Sequence, residues 1–268
     1  MAEFTYKNQS TKTILSVPLR LGFLSRQDRY RGLEREILQG DTTISRPVTN
    51  KYGTRYMDVF SPEFCMWKED ETPFTQAEQR TINAWFSSPK HDSFIEFVNY
   101  NGETTLYRGI FTDVSTGVYL GGVMEMSVLL RCDSPYVWEK RTFNTTVSGS
   151  DTLTVMSDSD ELEEFVYPLI RIMPHATETV SIKSVSDNGN IFTVDARASL
   201  PMMFDTKRCI VSDGTVNGII SYSDLGWRDV GNIYWPRLLP FNNTWEVTGN
   251  LDIEVEFYVP HKRLGDFI

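Results

Sequence analysis

The sequence is poor in cysteine and has no long apolar run, and both absences exclude classes of protein. The three cysteines, Cys65, Cys132 and Cys209, are far apart and lack Cys-x-x-Cys spacing. A disulfide framework and a thiolate zinc site are therefore disfavoured, and we expect synthesis in a reducing cytoplasm. No stretch approaches the roughly 18 to 20 apolar residues that cross a bilayer, and the first residues lack an export signal. We expect neither membrane insertion nor secretion.

Positive charge is also scarce. The chain has 26 Lys and Arg residues against 36 Asp and Glu residues, a formal net charge of −10. Residues 141–268 hold most of this excess, with 18 acidic and 10 basic side chains. Because nucleic-acid affinity comes largely from counterion release by Lys and Arg, we expect no nucleic-acid binding.

The 268 residues are 40% hydrophobic and 13% aromatic, which is enough apolar surface for a globular protein. At about 150 residues per domain, this length suits two domains. The strand patterns stop near Ser134-Pro135-Tyr136, and a polar stretch follows from Lys140. We therefore predict an N-terminal domain at 1–140 and a C-terminal domain at 141–268.

The first domain has the pattern of an α+β fold with one helix. Thr75 followed by Glu78 is typical of a capping box, and Ile82, Trp85 and Phe86 then form one apolar stripe. This predicts a helix from Thr75 to about Ser87 that covers a sheet. Three runs rich in β-branched and aromatic residues predict the strands, at 94–99, 104–111 and 123–132.

The second domain alternates apolar and polar residues, which is typical of half-buried strands. Turn residues that tolerate positive φ predict three hairpins, across Asp187-Asn188-Gly189, Asp213-Gly214 and Gly249-Asn250. Short strands at this spacing favour a β-sandwich. The pattern alone does not separate a galectin-like topology from a jelly roll.

The sequence contains no recognisable catalytic, metal-binding or cofactor-binding motif. The three histidines are dispersed, and no phosphate loop or nucleophile elbow is present. Glu254 and Glu256 share one face of a predicted strand, about 7 Å apart, which is compatible with a glycosidase pair. Alternation with apolar neighbours favours the solvent face of a sheet instead. We expect no catalytic residue, no metal and no cofactor.

Two side-chain sets are candidates for binding. Five arginines lie within 16 residues and are interleaved with carboxylates: Arg20, Arg26, Arg29, Arg31 and Arg35. A phosphate site is one interpretation, but the mixed signs favour ion pairs within the fold or across a subunit interface. Trp227 and Trp235 are the candidates for glycan contact, whereas the pattern around Trp245 favours the core.

Several short motifs, in their order and spacing, resemble the distal tail protein family of long-tailed, non-contractile bacteriophages. The motifs in the first domain are Lys51-Tyr52-Gly53-Thr54-Arg55-Tyr56-Met57-Asp58, Trp67-Lys68-Glu69-Asp70, Phe74-Thr75-Gln76-Ala77-Glu78, Ile82-Asn83-Ala84-Trp85-Phe86, Tyr107-Arg108-Gly109-Ile110-Phe111 and Cys132-Asp133-Ser134-Pro135-Tyr136. Near the C-terminus, the segment from Leu239 to Gly249 resembles the family's Pro-Gly-x-Asn turn and following strand, with Phe241 in place of Gly. The motifs cover about a third of the chain.

The resemblance implies a structural protein of the virion, not an enzyme. Family members form a hexameric ring through their N-terminal domains, and galectin-like β-sandwiches project outward from it. The implied partners are the tail tube protein, the tape measure protein, a tail-associated lysin or tail fibre, and a baseplate or receptor-binding protein. The implied location is the distal end of the tail, with assembly in the cytoplasm of the bacterial host.

Two alternatives come from other functional classes. A carbohydrate-binding module for host cell-wall glycan would need an exposed aromatic platform, for which Trp227 and Trp235 are the candidates. A glycan-degrading enzyme would need a carboxylate pair, for which only Glu254 and Glu256 are available.

Overall fold

The structure, a computed structural model, describes eight parts of the chain: residues 3–23, 35–39, 51–56, 61–98, 102–119, 121–215, 218–227 and 232–262. The fold divides into two compact units, one up to Trp138 and the other at Glu139–His261. Strands dominate both units, and the described residues include one α-helix.

The first unit consists of antiparallel strands and the helix. Its elements are β1 (Glu3–Tyr6), β2 (Gln9–Ser10), β3 (Leu19–Phe23), β4 (Arg35–Gln39), β5 (Lys51–Tyr56), β6 (Glu63–Lys68), α1 (Gln76–Ser87), β7 (Ser93–Val98), β8 (Thr104–Tyr119) and β9 (Gly122–Cys132). β8 pairs with both β7 and β9, and β9 pairs in turn with β6. β4 and β5 form a separate two-stranded sheet.

The predicted helix is confirmed, including its capping box. The Thr75 side chain accepts a hydrogen bond from the Glu78 backbone N–H, and the Glu78 carboxylate accepts one from the Thr75 N–H. The stripe of Ile82, Trp85 and Phe86 is buried. The Trp85 indole N–H donates to the carbonyl of Tyr6 at 2.9 Å, which joins the helix to β1. Thus α1 covers the sheet, as its pattern predicts.

The three predicted strands of this unit are also present, as β7, β8 and β9. β8 extends eight residues beyond its predicted end at Phe111. At Gly109 the two strands of the β8–β9 hairpin approach so closely that a Cβ atom would lie 2.4 Å from the Arg131 carbonyl oxygen. This contact explains why the Tyr107–Phe111 motif contains a glycine.

The second unit consists of strands and one short 3₁₀-helix. Its elements are β10 (Val137–Met156, which starts in the first unit), β11 (Leu169–Pro174), β12 (Glu178–Ser184), β13 (Asn190–Ala196), β14 (Met202–Asp205), β15 (Ile210–Ser212), the 3₁₀-helix Tyr222–Leu225 and β16 (Asn242–His261). The strands pair in the order β15-β14-β11-β16-β10, and β13 joins through β12 to β16.

The hairpin predicted across Asp187-Asn188-Gly189 is confirmed by the pairing of β12 with β13. Asn188 has a φ of 57° and Gly189 one of 70°, the conformation that these residue types tolerate. Across Asp213-Gly214 the chain also turns back, because Ile220 N donates to the Val211 carbonyl at 2.9 Å.

The hairpin predicted across Gly249-Asn250 is wrong. The two predicted strands are parts of one strand, β16, which runs through Gly249 without reversing. β12 pairs with its first half, from Trp245 to Thr248, and β11 pairs with its second half, from Leu251 to Glu256. Gly249 has a φ of 137° and separates these two pairing regions. Here the glycine permits an irregularity within a strand and does not form a turn.

Each unit has its own apolar core. In the first, Phe4 contacts the rings of Trp85, Phe86, Phe97 and Phe111. In the second, Trp245 is fully buried, which confirms its predicted place in the core. The two units are thus separately packed around aromatic and branched side chains.

Candidate functional site

The turn before β16 explains the C-terminal motif in which Phe241 replaces glycine. Phe241 has a φ of 74°, a left-handed conformation that glycine adopts most easily, and its side chain is 61% exposed. The buried Asn243 holds this turn. Its Oδ1 accepts from Leu239 N at 2.8 Å, and its Nδ2 donates to the carbonyls of Leu239 and Phe241. The backbone at Phe241 therefore has a left-handed conformation that suits glycine, and Asn243 holds the turn although the residue is Phe.

The structure describes the side chain of one of the five candidate interface arginines. Arg20 lies on β3, and its guanidinium is 3.3 Å from a carboxylate oxygen of Glu69. Arg35 begins β4, and for this residue only the backbone is described. Arg26, Arg29 and Arg31 lie outside the described residues. An ion pair within the fold is thus present for Arg20, and a role of the five arginines at a subunit interface stays a prediction.

The structure brings the two candidate glycan-contact residues together. Trp227 and Trp235 have ring centroids 5.6 Å apart, and Phe192 and Tyr222 contact both of them. We call these four residues the aromatic cluster. Both tryptophans are half-buried against the core of the second unit, and the Trp227 indole N–H donates to the carbonyl of Thr193. Glycan contact by this cluster stays a prediction.

Glu254 and Glu256 lie on β16 and point away from the core of the second unit, as the alternation predicts. Both carboxylates bind the same guanidinium group, that of Arg171 on β11. Lys140 Nζ lies 3.2 Å from Glu256 Oε2, the same oxygen that Arg171 contacts. The two carboxylates therefore belong to a cross-strand ion-pair cluster, which is typical of the solvent face of a sheet.

A cavity of about 570 Å³ lies beside this ion-pair cluster, wholly within the second unit. We call it the sheet-face cavity. Its lining comes from β10, β11, β14, the Asp213-Gly214 turn and β16. The sequence does not reveal this cavity, because these segments are distant in the chain and none carries a motif.

The described residues include no metal-binding cluster and no activated thiol. This part of the chain has no group of three or more His, Cys, Asp and Glu side chains that could hold a metal ion. All three cysteines are free thiols. Burial and the neighbouring Glu125 raise the pKa of Cys65 to about 12, and burial also raises the pKa of Cys132 and of Cys209. A raised pKa disfavours the nucleophilic thiolate.

No helix among the described residues is long and apolar enough to span a membrane.

Comparison with known families assigns nearly the whole sequence. Residues 1–134 match the family described as "Phage tail protein N-terminal domain", and residues 136–257 match the one described as "Phage tail C-terminal domain". A comparison with curated proteins found no match.

Solved structures provide a comparison of folds. The Dit protein of phage SPP1, described as a paradigm of the hub adsorption apparatus in phages that infect Gram-positive bacteria, matches with a TM-score of 0.58 and 14% identity, over 96% of this chain and 99% of that one. A chain of the phage P2 baseplate in its activated conformation with Ca matches with a TM-score of 0.58 and 10% identity, over 100% and 99%. The same baseplate with Sr gives 0.56 and 10%, over the full length of both chains. The chain belongs to the phage tail protein family and has the fold of these tail components.

Proposed function

We propose that the protein is a distal tail protein: a structural hub that joins the tail tube to the tail tip or baseplate. The observation that carries this proposal is the agreement in fold with the SPP1 Dit protein over almost the full length of both chains. Membership of the phage tail family supports it independently.

In this proposal, residues 1–140 form a hexameric ring and residues 141–268 form an outward-facing, galectin-like β-sandwich. The ring number and the galectin likeness come from the family resemblance. The division into two separately packed units is consistent with separate roles. Ring closure requires two complementary patches on each subunit, since every copy contacts its neighbours head to tail.

The β4–β5 ribbon is our candidate for one of these patches. An isolated two-stranded ribbon is marginally stable in water, and stability requires packing against another surface. Ile37 and Leu38 are 49% and 39% exposed, and consecutive strand residues point to opposite faces. Both faces of the ribbon therefore offer apolar side chains, and Arg35 on the same strand belongs to the mixed-charge segment.

The proposed partners follow from the same resemblance. They are the tail tube protein, the tape measure protein, a tail-associated lysin or tail fibre, and a baseplate or receptor-binding protein. The proposed role is structural and not enzymatic, in a virion assembled in the host cytoplasm. It includes no nucleic-acid binding and no membrane insertion, in line with the net charge of −10.

Mass photometry of the full chain tests ring formation, alone and with co-expressed tail partners. We expect a species of six times the 30.8 kDa chain mass. Ile37→Asp with Leu38→Asp should abolish it, because charge would enter the proposed apolar contact. The matched control is Ile191→Asp with Ile219→Asp, which places the same two charges on side chains of the second unit that are 53% and 75% exposed. Monomer under every condition would contradict the ring.

A further inference from the structure

Two carboxylates in the lining of the sheet-face cavity lack a permanently charged partner. Asp213 accepts from the backbone N–H of Thr215 at 2.8 Å and from its hydroxyl at 2.7 Å, and no ion pair to Asp213 occurs among the described residues. Asp252 accepts from the Thr146 hydroxyl at 2.6 Å. Its ion-pair partner in the described part of the chain is His175, at 3.1 Å, which is charged only when protonated.

Both of these carboxylates stay ionised at neutral pH. Hydrogen bonds from Thr215 hold the pKa of Asp213 below its usual range, and hydrogen bonds from Thr146 and His175 do the same for the pKa of Asp252. Two negative charges thus face the cavity.

The one guanidinium in the lining does not compensate these charges. Arg171 already binds the carboxylates of Glu254 and Glu256, the latter at 3.1 Å. The cavity therefore has an excess of negative charge. This excess favours a cationic ligand and disfavours an anionic one.

Methionine gives the cavity an apolar surface beside the charges. Three of the nine methionines of the chain line it, Met173, Met202 and Met203. Met173 is paired with Asp252 across β11 and β16, and it is 39% exposed. Methionine side chains adapt to the shape of an apolar partner and are enriched at interfaces between proteins.

A lysine side chain matches both features, because it carries an ammonium group on a stem of four methylenes. A small inorganic cation would leave the methionine surface unused. The cavity volume of about 570 Å³ lies within the range of ligand pockets, roughly 300 to 1,000 Å³. It has room for a lysine together with parts of the residues that flank it in a polypeptide.

We propose that the sheet-face cavity docks a lysine of a partner protein, from a segment in which apolar residues flank that lysine. The carboxylates of Asp213 and Asp252 attract the ammonium group, and Met173 and Met203 pack against the apolar part of the segment. This inference goes beyond the proposed hub function, and it does not depend on ring formation.

Nuclear magnetic resonance of the full-length protein with ¹³C-labelled methionine methyl groups tests the site. The probe is a capped peptide, Gly-Leu-Lys-Leu-Gly, in which lysine carries the only charge. We expect saturable shifts of the Met173 and Met203 signals, and none for Met66 and Met126, which are buried in the first unit. Added salt should weaken the binding, because it screens the charges.

Three further ligands separate the contributions to binding. Peptides with glutamine or glutamate in place of lysine should bind at least about tenfold more weakly, because they lack the cation. Butylammonium, which reproduces the lysine side chain alone, should also bind at least about tenfold more weakly, because it lacks the flanking apolar residues.

Variants of the protein test the named residues. Asp213→Asn and Asp252→Asn should each weaken binding of the lysine peptide by about fivefold, because they remove a charge and keep the shape of the side chain. Asp195→Asn is the matched control. Asp195 accepts from the Thr179 hydroxyl at 2.9 Å, as Asp252 accepts from Thr146, but it does not line the cavity. Its affinity should stay within about twofold of wild type.

Met203→Ala should weaken binding by about threefold, which attraction between charges alone does not predict. Thermal unfolding identifies any variant that fails to fold, and the remaining folded variants then decide. The proposal would be overturned by the absence of saturable shifts at Met173 and Met203, by equal binding of the glutamine peptide or of butylammonium, or by wild-type affinity in the folded aspartate variants. None of these outcomes would alter the mass measured for the ring.

Discussion

Asn243 shows how one buried side chain can fix a turn whose sequence departs from the usual pattern. We expect Asn243→Ala to lower the free energy of unfolding by about 1–3 kcal/mol, since it leaves part-buried backbone groups of Leu239 and Phe241 without their partner. Asn242→Ala is the control, because its neighbouring side chain is exposed. Urea unfolding followed by tryptophan fluorescence measures both variants. Equal losses would show that Asn243 does not hold the turn.

Asp187 gives the second unit a defined response to acid. Hydrogen bonds from Arg237 hold the pKa of this carboxyl below its usual range, against the opposing effect of burial, and Tyr234 adds another. A lowered folded-state pKa stabilises the fold above the unfolded value of about 3.9, and this stability is lost as the pH falls through the folded value.

We therefore expect Asp187→Asn to be less stable at pH 7, by about 2 kcal/mol, and to lose less further stability than wild type between neutral pH and acid below about pH 4. Urea titrations at a series of pH values test this. Parallel pH profiles for the two proteins would contradict the assignment.

For a single residue, burial can be predicted from the sequence where it depends on positions nearby in the chain. Alternation with Val247 is enough to predict that Trp245 is buried. By contrast, the partners of Trp227 lie on β13 and around the 3₁₀-helix, and no local pattern joins Phe192 to Tyr222. The aromatic cluster therefore requires the fold to be known.

The capped helix is the element that sequence predicts best, because its start depends on two residues three positions apart. Thr75→Ala should cost about 1 kcal/mol of stability through loss of the cap. Thr81→Ala is the control, since its exposed mid-helix hydroxyl only donates back to the Ala77 carbonyl. We expect this control to be neutral or slightly stabilising in thermal unfolding. A larger loss for the control would contradict the role of the cap.

Strand ends and turns are harder to predict, for two physical reasons. The end of β8 lacks alternating burial, so its residues beyond Phe111 resemble a loop in sequence. Gly249-Asn250 resembles a hairpin turn, but a glycine with positive φ also fits an irregularity inside a long strand. At Asn188-Gly189 two consecutive positive φ values are required, and there the prediction is correct.

For the whole molecule, sequence reasoning meets its limit where distant segments converge. The sheet-face cavity combines residues from near 145, 172, 202 and 253, which only the pairing of β10, β11, β14 and β16 brings together. Contacts between copies are harder still to predict from the sequence, because they depend on the surfaces that stay exposed after a single chain has folded.

The second unit should fold by itself. It has its own core, built from residues between Val147 and Val259. We expect a fragment of residues 139–262 to be soluble and to unfold in one cooperative thermal transition with near-UV circular dichroism of packed aromatic rings. A fragment without a cooperative transition would mean that the second unit requires the first.

In the proposed function, six copies of this chain form the hub at the distal end of a phage tail. A cryo-electron microscopy map of the tail tip of the virion tests it most directly, because position and copy number are read from one density. We expect six copies around the tail axis, directly below the tail tube, with the 1–140 domains in mutual contact and the 141–268 domains outside. Density for the chain along the tube or in the capsid, or another copy number at the tip, would contradict it.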